Sequence, residues 1–234
     1  MLMYHWKDEL NEIFFYQEKK KKLWIIKDAQ SRVIDFKEHL LFVHAWSGCD
    51  LTSSILGKRK PSFLKLLQKS NNIQSVSEII LDYWATKKEV RESAVRAFIE
   101  VFGGNAESSL RKMRYLKYKQ MVCEGIIKPE KLPPTDHAAY FHGLRVHLQV
   151  VEWQMLDESF NLDPKEWGWK LDNGCLLPIP TDKEVAPPNI LKVIRCDCKT
   201  SSRNMCGTNM CSCRKNGLKC MSACGGCHGQ DCRF

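Results

Sequence analysis

The chain has 234 residues, of which 44% are hydrophobic and 27% charged, close to globular averages, so the composition excludes wholesale disorder. No run of 18 apolar residues is present, which argues against a membrane-spanning helix, and the first residues lack the apolar segment of a secretory signal. Lys and Arg outnumber Asp and Glu by 36 to 27, and the resulting charge of +9 mildly favours anionic partners.

Residues 1–65 are predicted to be a partial α/β piece. Two short runs of aromatic and β-branched residues, 12–16 and 23–26, predict strands. The lysines at 19–22 predict a solvated hairpin tip, and a nucleic-acid patch is the alternative interpretation. The apolar spacing of residues 32–46 then predicts a helix that ends at Ser47-Gly48.

Residues 66–177 are predicted to be a helical region with a short hairpin. Thr86 and Glu89 have the spacing of a capping box, and Gly103-Gly104 supplies the stop of the helix that follows. A second helix is predicted to begin at Thr135, and Asn173-Gly174 predicts a hairpin turn. One face of that second helix is expected to carry Phe141, Leu144, Leu148, Val151 and Met155.

Two further features of this region concern function. Residues 110–122 combine five basic side chains with Tyr115 and Tyr118, which suits a nucleic-acid strand, although an ordinary exposed helix face has the same pattern. His137, His142 and His147 are five residues apart, so they point to different faces of a helix. We interpret them as surface or core histidines rather than metal ligands.

Residues 178–194 are predicted to be an extended linker, because four prolines fall within eleven residues. Residues 195–234 after it contain nine of the 12 cysteines. An odd number of cysteines cannot pair completely as disulfides, and clustered thiols in a reduced compartment indicate metal. The predicted ligands are Cys196, Cys198, Cys206, Cys211, Cys213, Cys220, Cys224, Cys227 and Cys232.

The cysteine count itself predicts three zinc ions. Zinc prefers four thiolates in a tetrahedron. Two separate sites would leave one cysteine over, whereas three ions need twelve ligand positions, which nine cysteines fill when three of them bridge. The remaining residues of the segment are mostly small or polar, so its fold must come from the metal. With three zinc ions bound, its formal charge is near +2, and its cations could face a phosphate backbone.

The two C-x-C pairs, followed by Gly217-Leu218-Lys219-Cys220, resemble the tesmin-type CXC domain over residues 196–232. All nine family cysteines have a counterpart, although the spacers before the third, eighth and ninth are longer here. The resemblance implies three zinc ions, nuclear localisation and DNA binding. Met210 stands where the family's DNA readers place a groove-entering tyrosine, and an apolar wedge can also enter a groove. The predicted DNA contacts are Arg203, Met210, Arg214, Lys215 and Lys219.

The segment Gly48-Cys49-Asp50, followed by Gly57-Lys58, resembles part of the PIN-like and flap-endonuclease-like nucleases. The resemblance implies that Asp50 matches a metal-binding acid of that family. Such nucleases need several carboxylates around two Mg²⁺ ions, and the family's earlier acids precede a strand like residues 1–6. We therefore expect residues 1–65 to be a truncated nuclease-like remnant, with Asp50 as a vestigial metal-binding acid or, alternatively, a helix N-cap.

Together these features predict an α+β, mainly helical protein with a small, irregular zinc-cluster domain at its C-terminus. The predicted function is zinc binding and DNA binding in the nucleus, without catalysis, membrane association or a small-molecule substrate. One alternative is a Mg²⁺-dependent nuclease whose missing acids come from elsewhere. The other is a zinc-stabilised module that binds a protein partner.

Overall fold

The computed structural model describes residues 1–124, 128–155, 162–181, 196–198, 206–220 and 224–229. The chain divides into two compact units, Met1–Asp182 and Lys183–Phe234. As predicted, the fold is α+β and mainly helical. Of the proposed linker 178–194, residues 182–194 lie outside the described ranges. None of the described helices is both long enough and apolar enough to span a lipid bilayer.

The first unit begins with a short helix, a hairpin and a broken helical stretch. Its elements are α1 (Leu2–His5), β1 (Phe14–Gln17), β2 (Lys22–Ile25), α2 (Ile26–Ser31), a 3-10 helix (Ile34–His39) and α3 (Leu40–Trp46). The strands are antiparallel, with Phe14 opposite Ile25 and Gln17 opposite Lys22, and the lysine-rich segment forms the predicted tip. The helix predicted over 32–46 is interrupted, since Phe36 leaves helical geometry at φ −134°.

The strand expected at residues 1–6 is wrong, because this segment forms α1 instead. The reason lies in a distant side chain. Gln30 donates from Nε2 to the carbonyl oxygens of Met3 (2.6 Å) and Trp6 (2.9 Å). These bonds satisfy carbonyls at the end of α1, which therefore needs no neighbouring strand. Trp6 is itself buried.

Five further helices and a second hairpin complete the first unit. They are α4 (Lys60–Lys69), α5 (Asn71–Leu81), α6 (Lys87–Val101), α7 (Leu110–Cys123), α8 (Asp136–Gln154), β3 (Trp169–Asp172) and β4 (Cys175–Pro178). The predicted capping box is confirmed, since Thr86 and Glu89 bond reciprocally at the start of α6. Thr135 caps α8, and Asn173-Gly174 forms the turn of the antiparallel β3–β4 hairpin with positive φ at both residues.

Helix α8 lies at the centre of the first unit. Ten consecutive residues of it, 142–151, are buried. The single apolar face predicted for this helix is therefore incomplete. Leu144 and Leu148 of that face pack with Val90 and Trp167 in a smaller cluster, whereas Val146 and Val150 belong to the larger core on the other side. Among the larger core's most buried members are Trp46, Phe42, Leu41, Leu67 and Ile80.

The buried histidines of α8 bond to backbone carbonyls of the helices that cover it. The Nε2 of His142 donates to the carbonyl oxygen of Trp46 (3.3 Å), and the Nδ1 of His147 donates to that of Ile80 (2.8 Å). Burial, together with the nearby charge of Arg145, lowers the pKa of His142 to about 3, so this ring is neutral. The interpretation of these two residues as core histidines is confirmed.

Arg145 attaches the second hairpin to α8. Its Nη1 donates to the carbonyl oxygens of Gly168 (3.2 Å) and Ile179 (2.7 Å), at the two ends of the hairpin. Trp167 is buried beside the hairpin and stacks on His147, with ring centroids 4.4 Å apart. Trp167 therefore anchors the hairpin region in the smaller core cluster.

Helices α6 and α8 approach so closely at Gly143 that no side chain fits between them. A Cβ atom on Gly143 would lie 2.5 Å from the Cβ of Ala94 and 3.3 Å from the carbonyl oxygen of Val90. This is far inside van der Waals contact, so one helix would have to move.

Replacing Gly143 with Ala should therefore destabilise the first unit. In an exposed helix this change would add about 1 kcal/mol of stability. Here we expect overpacking to dominate and to lower the free energy of unfolding by roughly 1–3 kcal/mol in urea titrations. In an Ala94→Gly background the same substitution should cost much less, because the opposing methyl group is gone. Equal losses in both backgrounds would show that the contact between these helices is not the cause.

Candidate metal centre

The second unit brings the predicted cysteine ligands together. Eight of the nine are described, whereas Cys232 and the predicted DNA contact Arg203 lie outside the described residues. Cys198 and Cys220 are half-buried, and the other six described cysteines are buried. The buried six are Cys196, Cys206, Cys211, Cys213, Cys224 and Cys227.

The distances between the sulfur atoms are those expected around a metal ion. The Sγ of Cys196 lies 3.8 Å from that of Cys206, 3.7 Å from that of Cys220 and 3.6 Å from that of Cys227. A disulfide would need about 2.05 Å. A tetrahedron of thiolates with Zn–S bonds of about 2.3 Å has edges of about 3.8 Å. The spacing of these sulfurs is therefore compatible with a metal ion bound among them.

The sulfurs form one shared cluster rather than separate sites. Three sets of four have all their sulfur atoms within 4.8 Å of one another. The sets are Cys196, Cys206, Cys220 and Cys227; Cys196, Cys211, Cys213 and Cys220; and Cys196, Cys198, Cys206 and Cys211. Cys196 belongs to all three sets, and Cys206, Cys211 and Cys220 each belong to two. Sharing of this kind is what a cluster with bridging thiolates requires.

The second C-x-C pair sits at the start of a single helical turn, α9 (Ser212–Lys215). The Sγ of Cys211 accepts a hydrogen bond from the backbone N–H of Arg214 (3.5 Å) and so caps this turn. The backbone N–H of Leu218 donates to the carbonyl oxygen of Cys213 (3.0 Å), and Gly217 supplies the left-handed φ of +68° that closes the turn. These bonds orient both sulfurs toward the cluster.

A backbone contact joins the first C-x-C pair to the end of the unit. The N–H of Gly225 donates to the carbonyl oxygen of Cys196 (2.9 Å). A Cβ atom on Gly225 would lie 2.2 Å from Oδ1 of Asp197. The sequence alone did not predict this contact between Gly225 and Asp197. The Gly-Gly pair between Cys224 and Cys227 was the one signal that the backbone there approaches another segment closely.

Burial changes the acidity of the cluster thiols. It raises the pKa of Cys196 to about 12 and also raises that of Cys213. Burial acts in the same direction on Cys211, but hydrogen bonds from the Arg214 backbone N–H and from neighbouring thiols outweigh it and lower the pKa to about 7. Metals bind the thiolate, and several buried thiolates together need a neutralising cation. A bound divalent cation would supply that charge.

The other predicted site residues differ in exposure. Lys215 and Lys219 are exposed, Arg214 is half-buried, and the side chain of Met210 is 90% exposed.

Asp50 is exposed in the loop after α3 and precedes no helix, so its alternative interpretation as an N-cap is wrong. Within the part of the chain that the structure describes, Asp50 belongs to no group of three or more clustered His, Cys, Asp or Glu ligands.

Comparisons with known proteins add no relative. No family model matches the chain, and neither a curated protein nor a solved structure matches it. The chemistry of the cluster must therefore be argued from its own geometry.

The contact at Gly225 leads to a prediction about metal affinity. Gly225→Ala should displace the Asp197 carboxylate or the backbone bond to Cys196, and changes beside metal ligands weaken binding by roughly 10–100-fold. Competition with a chromophoric chelator measures this effect. Adding Asp197→Ala should restore most of the affinity, because it removes the obstructing oxygen. Unchanged metal retention in Gly225→Ala would mean that the close approach is not needed.

Proposed function

We propose that this chain is a zinc-binding protein whose C-terminal unit is organised around a zinc–thiolate cluster. The observation that carries this proposal is the spacing of the sulfurs, since the closest neighbours are 3.6–3.9 Å apart. All-sulfur ligation favours zinc over Mg²⁺ or Ca²⁺, which prefer oxygen ligands. The cluster has a folding role, because every buried apolar residue in the described part of this unit is a cysteine.

The proposed stoichiometry is three zinc ions bound by nine cysteines. The overlap of the four-sulfur sets supports bridging thiolates in general, whereas the count of three ions rests on the number of cysteines in the sequence. Cys232 is proposed as the ninth ligand from the sequence alone. The same arrangement is what the resemblance to the CXC domain implies.

Zinc analysis of the reduced, folded chain should therefore yield about three ions per molecule. All nine thiols of residues 195–234 should resist alkylation until a strong chelator is added. The second unit should unfold when the chelator removes the metal, because its proposed core consists of metal and sulfur. Two cysteines of the first unit provide an internal control, since Cys123 and Cys175 are exposed and should be alkylated at once. Two or fewer zinc ions per folded chain would contradict the trinuclear cluster.

We further propose that the zinc-stabilised unit binds duplex DNA and that the protein acts in the nucleus. Lys215 and Lys219 support this, because both side chains are exposed to solvent. Both residues lie between Cys213 and Cys220, so the proposed metal ligands would fix the segment that carries them. Met210 supports it as well, since a side chain that is 90% exposed is available to enter a groove. The cations would contact phosphates, and this contact positions a protein on DNA without reading its sequence.

Removing the two lysines should weaken DNA binding in a salt-dependent manner. Each phosphate contact contributes about 0.9 to the slope of log affinity against log salt concentration. We expect Lys215→Ala with Lys219→Ala to flatten the slope by roughly two and to weaken all duplexes about equally. Lys65→Ala with Lys69→Ala, two exposed lysines of α4, removes the same charge and should leave the slope unchanged. Met210→Tyr should strengthen binding to AT-rich duplex.

A zinc-stabilised protein-interaction module is the second candidate. The observation in its favour is that Met210 and Leu218, two apolar residues of the small unit, are exposed. If the zinc-loaded chain has no salt-sensitive affinity for DNA and Met210→Tyr changes nothing, this candidate replaces the proposal of DNA binding. The zinc cluster itself is tested separately and would stand in either case.

A further inference from the structure

Helix α7 of the first unit carries an uncompensated positive charge. Its 14 residues include five Lys or Arg and no Asp or Glu. Within the described ranges, none of these five cations lies within 4.0 Å of a carboxylate oxygen, since the ion pairs there involve other residues. Arg114 donates instead to the carbonyl oxygen of Pro133, and Lys117 donates to the side chain of Gln120. The five are Arg111, Lys112, Arg114, Lys117 and Lys119.

The outer face of α7 also exposes aromatic rings. The helix packs against the rest of the first unit through Leu110 and Met121, which are buried. Tyr115 is 60% exposed and Tyr118 is 44% exposed. Residues three apart on a helix are neighbours, separated by about 4.5 Å along the axis. Lys119 lies one turn after Tyr115, with its Nζ 5.7 Å from the ring centroid. Cations and aromatic rings thus alternate along one solvent-facing strip.

A basic groove runs beside this strip. It has a volume of about 610 Å³ and lies between α7 and the segments around residues 56–58 and 131–133. Its lining includes three lysines and three apolar side chains, and none of its lining residues among those the structure describes is acidic. The lysines are Lys58, Lys117 and Lys131, and the apolar side chains are those of Phe102, Met113 and Leu116.

We propose that α7 and this groove bind single-stranded nucleic acid, as a second site that does not depend on the zinc cluster or on its function. The lysines and arginines would contact the phosphates, and unpaired bases would stack on Tyr115 and Tyr118. A duplex does not fit this strip equally well, because its bases are already stacked inside the helix and cannot reach the rings. An acidic peptide would satisfy the cations but would gain little from two exposed tyrosines.

The test uses the full, zinc-loaded chain and a fluorescent oligothymidylate of about twenty nucleotides, a length that exceeds typical single-strand site sizes. Anisotropy titrations at several salt concentrations give both affinity and salt slope. The chain should carry Lys215→Ala and Lys219→Ala throughout, so that the C-terminal unit contributes little. Circular dichroism checks that each variant is folded, which we expect because the altered side chains are exposed.

Tyr115→Ala with Tyr118→Ala should weaken binding at least tenfold with little change in salt slope, because stacking and not charge is lost. Replacing both with Phe should preserve most of the affinity. Arg111→Gln with Lys112→Gln should weaken binding and flatten the slope by about 1.4, as expected for two phosphate contacts on a single strand. Tyr16→Ala, which removes a similarly exposed ring (54%) from the first hairpin, is the matched control and should have no effect.

Two results would overturn the proposal. The first is an affinity for oligothymidylate that is the same in the Tyr→Ala and Arg/Lys→Gln variants as in the parent chain. The second is equally tight binding of a fluorescent polyglutamate that is insensitive to the tyrosine changes, which would identify this strip as a surface for acidic proteins. Neither result would bear on the zinc cluster, because the compared variants differ from one another only in the first unit.

Discussion

The first unit is organised by the burial of the middle of α8, residues 142–151. Ten consecutive buried residues on a helix must be covered on every side, and the polar side chains among them need partners away from water. The same contacts serve both needs, although within the described residues the Nε of Arg145 and the Nε2 of His147 have no hydrogen-bond partner. His142, Arg145 and His147 bond to backbone carbonyls on α3, at the ends of the β3–β4 hairpin and on α5, so each polar residue also fixes the position of an element that covers the helix. On another side of α8, Gly143 has no side chain, and α6 therefore packs closely against α8 there.

The two units obtain their cores from different chemistry. The first buries aliphatic and aromatic side chains, with Trp46 and Phe42 among the largest. In the described part of the second, the buried apolar residues are cysteines alone, held within a few ångströms of one another. A hydrocarbon core is stable without a ligand, whereas a core of thiolates requires bound cations. Removal of metal should therefore affect one unit and spare the other.

Local sequence signals predicted the features that depend on neighbouring residues. The capping box at Thr86 and Glu89 and the turn at Asn173-Gly174 are formed by residues a few positions apart, and both are present. The cysteine spacing likewise predicted a cluster. The helix at residues 2–5 was missed because Gln30, which satisfies its carbonyls, is remote in sequence.

Other features could not be predicted from the spacing of residues along the sequence. The burial of residues 142–151 of α8 on all sides was missed because polar residues such as Arg145 and Gln149 resemble a solvent face. Which sulfurs are shared could not be predicted either, since spacing along the chain does not give their distances. Cys196 and Cys227, for example, are 31 residues apart, yet their sulfurs are neighbours at 3.6 Å.

The burial of His142 also links the stability of the first unit to protons. The ring packs against Trp46 and Phe98 and has a pKa of about 3 in the folded chain, against about 6.5 when unfolded. Below about pH 6.5 the unfolded chain therefore binds a proton that the folded chain does not, and the free energy of unfolding decreases as the pH falls toward 3. Acid also protonates metal-binding thiolates. Low pH thus destabilises the core of the first unit because a neutral base becomes charged, and it would destabilise the proposed zinc–thiolate cluster for the opposite reason, because charged sulfurs would become neutral.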